Sequence, residues 1–396
     1  MTLGFPALPQ ESRRCNAYNK NHNEGTNACA EPCLFPSSHC RLHLKKISWT
    51  AALCKARRNS SKMSRASSRP LSEKPLNNNC LTSVTGFILL GFTCTGEIQK
   101  LLFMLLLTIY ILTLMGNGSI IYTVYWDERI HTPMYILLAN FSFLEICYVT
   151  TTVPNVLANF FSETKVISFS GCFLQFYLFF SLGAVECFFL AIMAFDRYLA
   201  ICRPLHYHIT MSRHLQTSLV VNCWVIGFLW FPVPIIIISQ LSFCGPKIID
   251  HILCDASPIL VLTCAPAPMM EFICSFLSSM ILVVPFFFII GTYALVLKAV
   301  LRIPSRRGRR KAFSTCGSHL VVVSLFYGSA MAIYMRPRSG HEAETQKVVT
   351  LFYSTVTPFL NPVIYSLRNK EMKDALKKVL GHENESLCKR YPLRSN

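Results

Sequence analysis

The chain has 396 residues, with 38 Lys+Arg against 20 Asp+Glu, a net charge of +18, yet 52% of its residues are hydrophobic and only 15% are charged. That combination excludes disorder throughout, which requires few Leu, Ile, Val and Phe. It also argues against a soluble nucleic-acid binder, whose basic surface would come with more charge overall. The excess is unevenly placed: residues 1–80 carry 13 basic and 4 acidic side chains, residues 81–396 carry 25 and 16, so half of it sits in one fifth of the chain.

Residues 1–81 form a basic extension rich in Asn, Ser, Arg and Cys, without helical period, and read as disordered. No apolar h-region occurs in residues 1–30, so no cleavable signal peptide is expected and the first span serves as its own anchor. Cys29, Cys33, His39 and His43 stand too close together for a zinc-finger loop, so no structural metal is expected. Asn59-Ser60-Ser61 is a glycosylation sequon, and Met63 could serve as an alternative start.

Beyond the extension come long runs without Asp, Glu, Lys or Arg: 101–126, 272–297, 312–335 and 348–367, with a longer one at 215–246 that includes a loop. Two more, 134–157 and 171–198, contain the acids Glu145 and Glu186. A helix rises ~1.5 Å per residue, so about 20 residues cross a ~30 Å hydrocarbon core. The expected fold is therefore an all-α membrane protein with seven transmembrane helices, near 100–125, 134–157, 171–198, 215–239, 272–297, 313–335 and 347–367. Barrel strands would alternate polar and apolar residues, which these runs do not.

With the tail of the last span inside, nineteen basic residues flank the inner ends of the spans: Arg129; Arg197, Arg203 and Arg213; seven from Lys298 to Lys311; and eight from Arg368 onward. Five lie in the outer loops. The N-terminus is thus extracellular and the C-terminus cytoplasmic. The bases of the extension end at Lys74, about 26 residues before the first span and beyond the ~15–20 residues that carry topological weight. Residues 82–380 form the membrane domain and 381–396 a short cytoplasmic tail.

Cys172, Cys244, Cys254 and Cys264 fall outside the membrane on the oxidising side, and four cysteines allow three pairings. Cys147, Cys187, Cys202, Cys223, Cys274 and Cys316 fall in or at spans and read as packing residues. Glu145 and Glu186 are intramembrane acids; charge at that depth is costly, so both should face the bundle interior and share a cation or proton. No phosphate loop, His-Glu-x-x-His pair or Gly-x-Ser-x-Gly elbow appears, which speaks against an enzyme. No repeated halves appear, which speaks against a transporter.

Local motifs carry more than topology. The third span ends Met193-Ala194-Phe195-Asp196-Arg197-Tyr198-Leu199-Ala200-Ile201-Cys202-Arg203-Pro204, and the sixth opens Lys311-Ala312-Phe313-Ser314-Thr315-Cys316-Gly317-Ser318-His319. The seventh closes Asn361-Pro362-Val363-Ile364-Tyr365. Upstream stand Gly86-Phe87-Ile88-Leu89-Leu90-Gly91-Phe92, Gly116-Asn117 and Pro133-Met134-Tyr135. Over residues 82–380 the chain resembles the olfactory receptors of the class II (tetrapod-type) branch, rhodopsin-like G-protein-coupled receptors.

The resemblance implies several roles. Asp196, Arg197 and Tyr198 form a switch in which the Arg is held by its neighbouring acid at rest and released toward a G protein when the sixth helix swings out. Tyr365 is the matching element after Asn361-Pro362, where proline permits a kink, and Tyr293 is the partner from the fifth span. The basic block from Arg302 to Lys311 sets topology and contacts the G protein. Glu145 takes the place of an Asp that helps hold sodium in similar receptors, with Glu186 as its companion. The disulfides implied are Cys172–Cys254 and Cys244–Cys264.

The ligand pocket implied lies between the outer halves of the third, fifth, sixth and seventh spans. Helical spacing then directs Phe176, Phe179, Phe180, Gly183 and Ala184 inward on the third, and Leu277, Ser278 and Ile281 on the fifth. It directs Tyr327, Ala330, Met331 and Tyr334 inward on the sixth, and Leu351 and Thr355 on the seventh. None of these is charged, which favours small, mostly neutral volatile ligands with one hydrogen-bonding group for Ser278, Tyr334 or Thr355. The implied partners are an odorant, a stimulatory or olfactory G protein that raises cyclic AMP, and the bilayer; no nucleic acid is expected.

Overall fold

The computed structural model describes residues 85–92, 96–334, 343–368 and 371–378, all within one compact unit, Cys80–Asn396. Asn59 with the rest of the extension, and the tail 381–396, lie outside the described residues.

Seven helical spans run in chain order. The first is Glu97–Trp126, the second Pro133–Phe161, the third Phe169–Cys202, and the fourth Arg213–Trp230 continued by Pro232–Ser239. The fifth is Pro268–Leu301 and the sixth Arg306–Tyr334. The seventh is Ala343–Leu351, continued through Phe352–Val356 to Thr357–Arg368. Among the described residues six of these are apolar and long enough to cross a membrane; in the sixth span the apolar part is the shorter Cys316–Ala332. Its first turns carry Arg306, Arg307, Arg309 and Arg310, whose long stems let the charges reach the interface while the helix continues inward.

The third span is the axis of the bundle. Its buried face runs from Cys172 to Leu199 and meets the second, fourth and fifth spans. At Gly227 the fourth span comes so close to the third that a Cβ would sit 2.4 Å from Val185 Cγ2 and 3.2 Å from the Ser181 carbonyl oxygen. At Gly116 the first span meets the seventh, where a Cβ would lie 3.0 Å from Pro362 Cγ. Only a residue without a side chain lets these backbones approach.

Three features depart from the sequence-based expectation. The fourth span is not one continuous helix: it breaks at Phe231, because Pro232 supplies no amide and opens a new first turn. The seventh contains a wide π turn at Phe352–Val356, of the kind that recurs at functional sites. The protein is also not wholly helical. Gly86–Leu89 (β1) is the middle strand of a small outer sheet, antiparallel to Val166–Ser168 (β2) and parallel to Ile248–Ile249 (β3). Phe87 and Leu89 alternate inward and are fully buried, so the Gly-Phe-Ile-Leu-Leu-Gly-Phe motif stitches the start of the domain to both outer loops.

Candidate ligand cavity and switch

The second outer loop, between the fourth and fifth spans, is tied down covalently. Cys172 at the outer start of the third span is bonded to Cys254, and Cys244 to Cys264 within the loop. One turn below Cys172, Gln175 accepts the Cys254 amide at 3.2 Å and donates to the Thr151 carbonyl at 3.3 Å. The loop therefore folds inward, and a short helix, Ala256–Leu260, descends over the bundle.

Beneath it lies a cavity of about 440 Å³, within the ~300–1,000 Å³ of small-molecule sites. Of the expected residues, Phe176, Phe180, Ser278, Tyr327 and Met331 line it. A smaller recess of about 40 Å³ adjoins it through Phe180, Phe231, Ser278 and Leu282, and Phe179, Gly183, Ala184, Ile281 and Ala330 line that recess. Leu277 lines neither: its carbonyl accepts from Trp230 Nε1 at 3.3 Å, toward the fourth span. Leu351 and Thr355 also line neither; Thr355 is fully buried within the π turn, which rotates its side chain away from the register of a regular α-helix. Tyr334 belongs to the sixth span, but its side chain lies outside the described residues.

Span spacing suggests an uncharged cavity, but two acids, Asp255 and Glu271, stand among the polar residues that line it. Asp255 and Ser257 come from the loop, Glu271, Ser275 and Ser279 from the fifth span, and Thr345 and Gln346 from the seventh. The loop residues escaped the sequence reading because only the disulfide brings them over the bundle. Asp255 is 6% exposed; burial raises its pKa, opposed by His251. Burial lowers that of His251, opposed by Asp255. The apolar inner end is formed by Leu282, Phe286 and Tyr327, whose rings lie 5.0 Å apart in the pair Phe286–Tyr327.

Deeper in the bundle, Glu145 on the second span and Glu186 on the third are both buried. Glu145 Oε1 accepts from Asn361 Nδ2 at 2.5 Å, joining the second span to the seventh. Glu145 Oε2, Glu186 Oε1 and Asn361 Oδ1 are buried with no hydrogen-bond partner among the described residues. An all-oxygen set with orphaned acceptors suits a hard cation such as sodium. Asn117 Nδ2, from the Gly116-Asn117 pair, donates to the Pro358 carbonyl at 3.3 Å and secures the same stretch of the seventh span.

At the inner end Asp196 is not paired with Arg197; its Oδ1 accepts from Tyr207 OH at 2.7 Å, and no Asp196–Arg197 ion pair occurs among the described residues. Consecutive helix residues point about 100° apart, which separates the two side chains. Arg197 is buried with its Nε unpartnered. Tyr293 OH lies 2.8 Å from His319 Nδ1, and His319 Nε2 lies 3.1 Å from the Leu190 carbonyl. His319 thus links the fifth, sixth and third spans, a role that its place in an apolar run did not reveal. Tyr198 packs beside Phe195 and against Val296, Val300 and Cys316. Tyr365 is buried, its ring edge-on to Phe141 at 6.4 Å and its hydroxyl without a partner.

A family model described as olfactory receptor matches residues 106–383. Human olfactory receptor 11G2 is 68% identical over 300 residues, covering 76% of this chain and 87% of the relative. Human olfactory receptor 11H6 is 61% identical over 304 residues (77% and 92%), and 11H2 is 58% identical over 307 (78% and 94%). The family is one of receptors and not of enzymes. Cavity, buried acids and inner switch thus occupy the matched region, and the chain belongs to the olfactory receptor family, a multi-pass plasma-membrane branch of the rhodopsin-like G-protein-coupled receptors.

Proposed function

We propose that this receptor binds small, mostly neutral volatile molecules in the 440 Å³ cavity and activates a stimulatory or olfactory G protein, raising cyclic AMP. The observation that carries this reading is the placement of Tyr327. It lines the inner wall of the cavity on the same helix as His319, about two turns further in, and His319 bonds the fifth and third spans near Arg197. A ligand pressing on Tyr327 and Phe286 works against the contacts that hold the sixth span in place. Outward movement of that helix strains the Tyr293–His319–Leu190 chain and opens space around Arg197, whose guanidinium then meets the G protein.

Sodium bound between Glu145 and Glu186 would supply positive charge to two carboxyls that otherwise repel each other. Glu145, Glu186 and Asn361 would hold it. Their own part is to tie the second, third and seventh spans together in the resting arrangement, since Asn361 already reaches Glu145 across the bundle.

The test is to express the full chain with the stimulatory G-protein α subunit and follow cyclic AMP against a panel of volatile alcohols, aldehydes, ketones, esters and acids. A saturable rise with some of them, absent in untransfected cells, is expected. Ligand-driven ion flux without cyclic AMP would overturn the reading.

A further inference from the structure

Lys347, at the outer end of the seventh span, is fully buried as a residue. Its ammonium lies 2.5 Å from Asp250 Oδ1 and 2.9 Å from Glu344 Oε1, and both acids are about half exposed. Glu344 is one turn away on the same helix. Asp250 is different: it belongs to the second outer loop, directly after β3. The contact therefore crosses between two elements that are 97 residues apart in the chain.

The same two elements form facing walls of the ligand cavity. From the loop come Asp255, Ala256, Ser257 and Leu260, and from the seventh span Thr345, Gln346 and Val349, which surround Lys347 on its own helical turns. On its other side the loop is fixed to the third span by Cys172–Cys254 and to β1 by the pairing of Ile88 and Leu89 with Ile248 and Ile249. No such covalent or strand pairing binds it to the seventh span among the described residues. The buried ammonium is what spans that seam, and it cannot be left there without its acids, since an uncompensated buried charge is far costlier than the pair.

We propose that Lys347 is a positioning residue: by clamping Asp250 it holds the second outer loop against the seventh span and sets how far the mouth of the cavity opens. This rests on the cavity being the ligand site. Ligands reach the inner wall at Tyr327 only when the mouth yields, so the strength of the clamp governs access and release rather than contact with the ligand itself.

Cys274 provides a reporter that needs neither odorant nor G protein. It is a free, half-buried thiol on the wall of the same cavity. Full-length receptor in native membranes is exposed to a charged, membrane-impermeant maleimide, and the rate of labelling lost in C274A is taken as that of Cys274. The expected result is a rise of about tenfold in Lys347→Met and in Asp250→Asn, as loss of a buried pair favours the open mouth. Lys347→Arg should stay within about twofold, because the cation is retained. The double variant D250N/K347M should label no faster than either single one, because both remove the same contact. An unchanged rate in K347M with the Cys172–Cys254 bond intact would overturn the proposal, as would equal acceleration in K347R. If K347M does not reach the surface, Asp250→Asn, altering an exposed acid, decides the matter alone. Because labelling is independent of signalling, a negative cyclic AMP screen leaves this outcome readable.

Discussion

The outer and inner halves of the bundle are held together by different physics. Outside, two disulfides, a three-stranded sheet and the Lys347 ion pairs bind the loops to the helices. Inside, the joints are single hydrogen bonds: Tyr293 to His319, His319 to the Leu190 carbonyl, and Tyr207 to Asp196. Around them sit buried groups with polar atoms left unpaired, Arg197 Nε and Tyr365 OH. A covalent staple and a strand ladder do not exchange partners on the timescale of signalling, whereas hydrogen bonds worth about 1 kcal/mol each do. Apart from the Lys347 seam, the outer half is thus built to keep its shape, and the inner half to change it.

This contrast can be broken at several points. The largest effect is expected from Arg197→Ala, which removes the buried guanidinium of the switch together with its unpartnered Nε; agonist-driven cyclic AMP should fall by about a hundredfold or more, at normal surface level by antibody staining. Normal signalling would remove Arg197 from the switch. Next, Cys172→Ser should destabilise the outer half by about 2–5 kcal/mol. It should be read as a lower unfolding temperature of purified receptor and poor surface delivery, and an unchanged temperature would show that the sheet alone suffices. If sodium is held as proposed, it should raise the unfolding temperature over potassium by the equivalent of about 1–3 kcal/mol at saturation, and Glu145→Gln should abolish that rise. Retention of that shift would place the cation elsewhere.

Smaller changes sharpen the picture. Tyr293→Phe removes one hydrogen bond to His319 and leaves the packing; basal cyclic AMP should move by about fivefold, the equivalent of ~1 kcal/mol. A similar change from Thr292→Val, whose hydroxyl bonds only its own helix at Phe288, would make the effect nonspecific. Last, Ser278→Ala should alter the ranking of alcohols against hydrocarbons of equal length by about three- to tenfold without changing basal activity. A change confined to basal activity would take Ser278 out of the ligand contacts.

Where residues act through local properties, they were legible in the chain. Run length and the scarcity of charge place every span to within a few turns. The resemblance places a pocket among the third, fifth, sixth and seventh spans and helical spacing turns Phe176, Phe180, Ser278, Tyr327 and Met331 toward it; all five line the cavity. Spacing failed where the helix departs from regularity, as for Thr355 in the π turn, and at Leu277, whose position is turned to the fourth span. It was silent on Asp255, Asp250 and Lys347, because each matters through a partner brought close by the fold and not by the chain.

The +18 charge divides accordingly. In the membrane domain its bases flank the inner ends of the spans, a property of sequence alone, since transfer of charge across a bilayer is costly whatever the neighbours do. Hydrophobic length fixes the number of crossings for the same reason. Which acid meets which cation is another kind of fact. Asp196 lies beside Arg197 in the chain and bonds Tyr207 instead; Lys347 finds Asp250 from 97 residues away. Hydrogen bonds and ion pairs act over about 3 Å and depend on direction. They therefore come into being only once helices, loop and disulfides have set the side chains face to face.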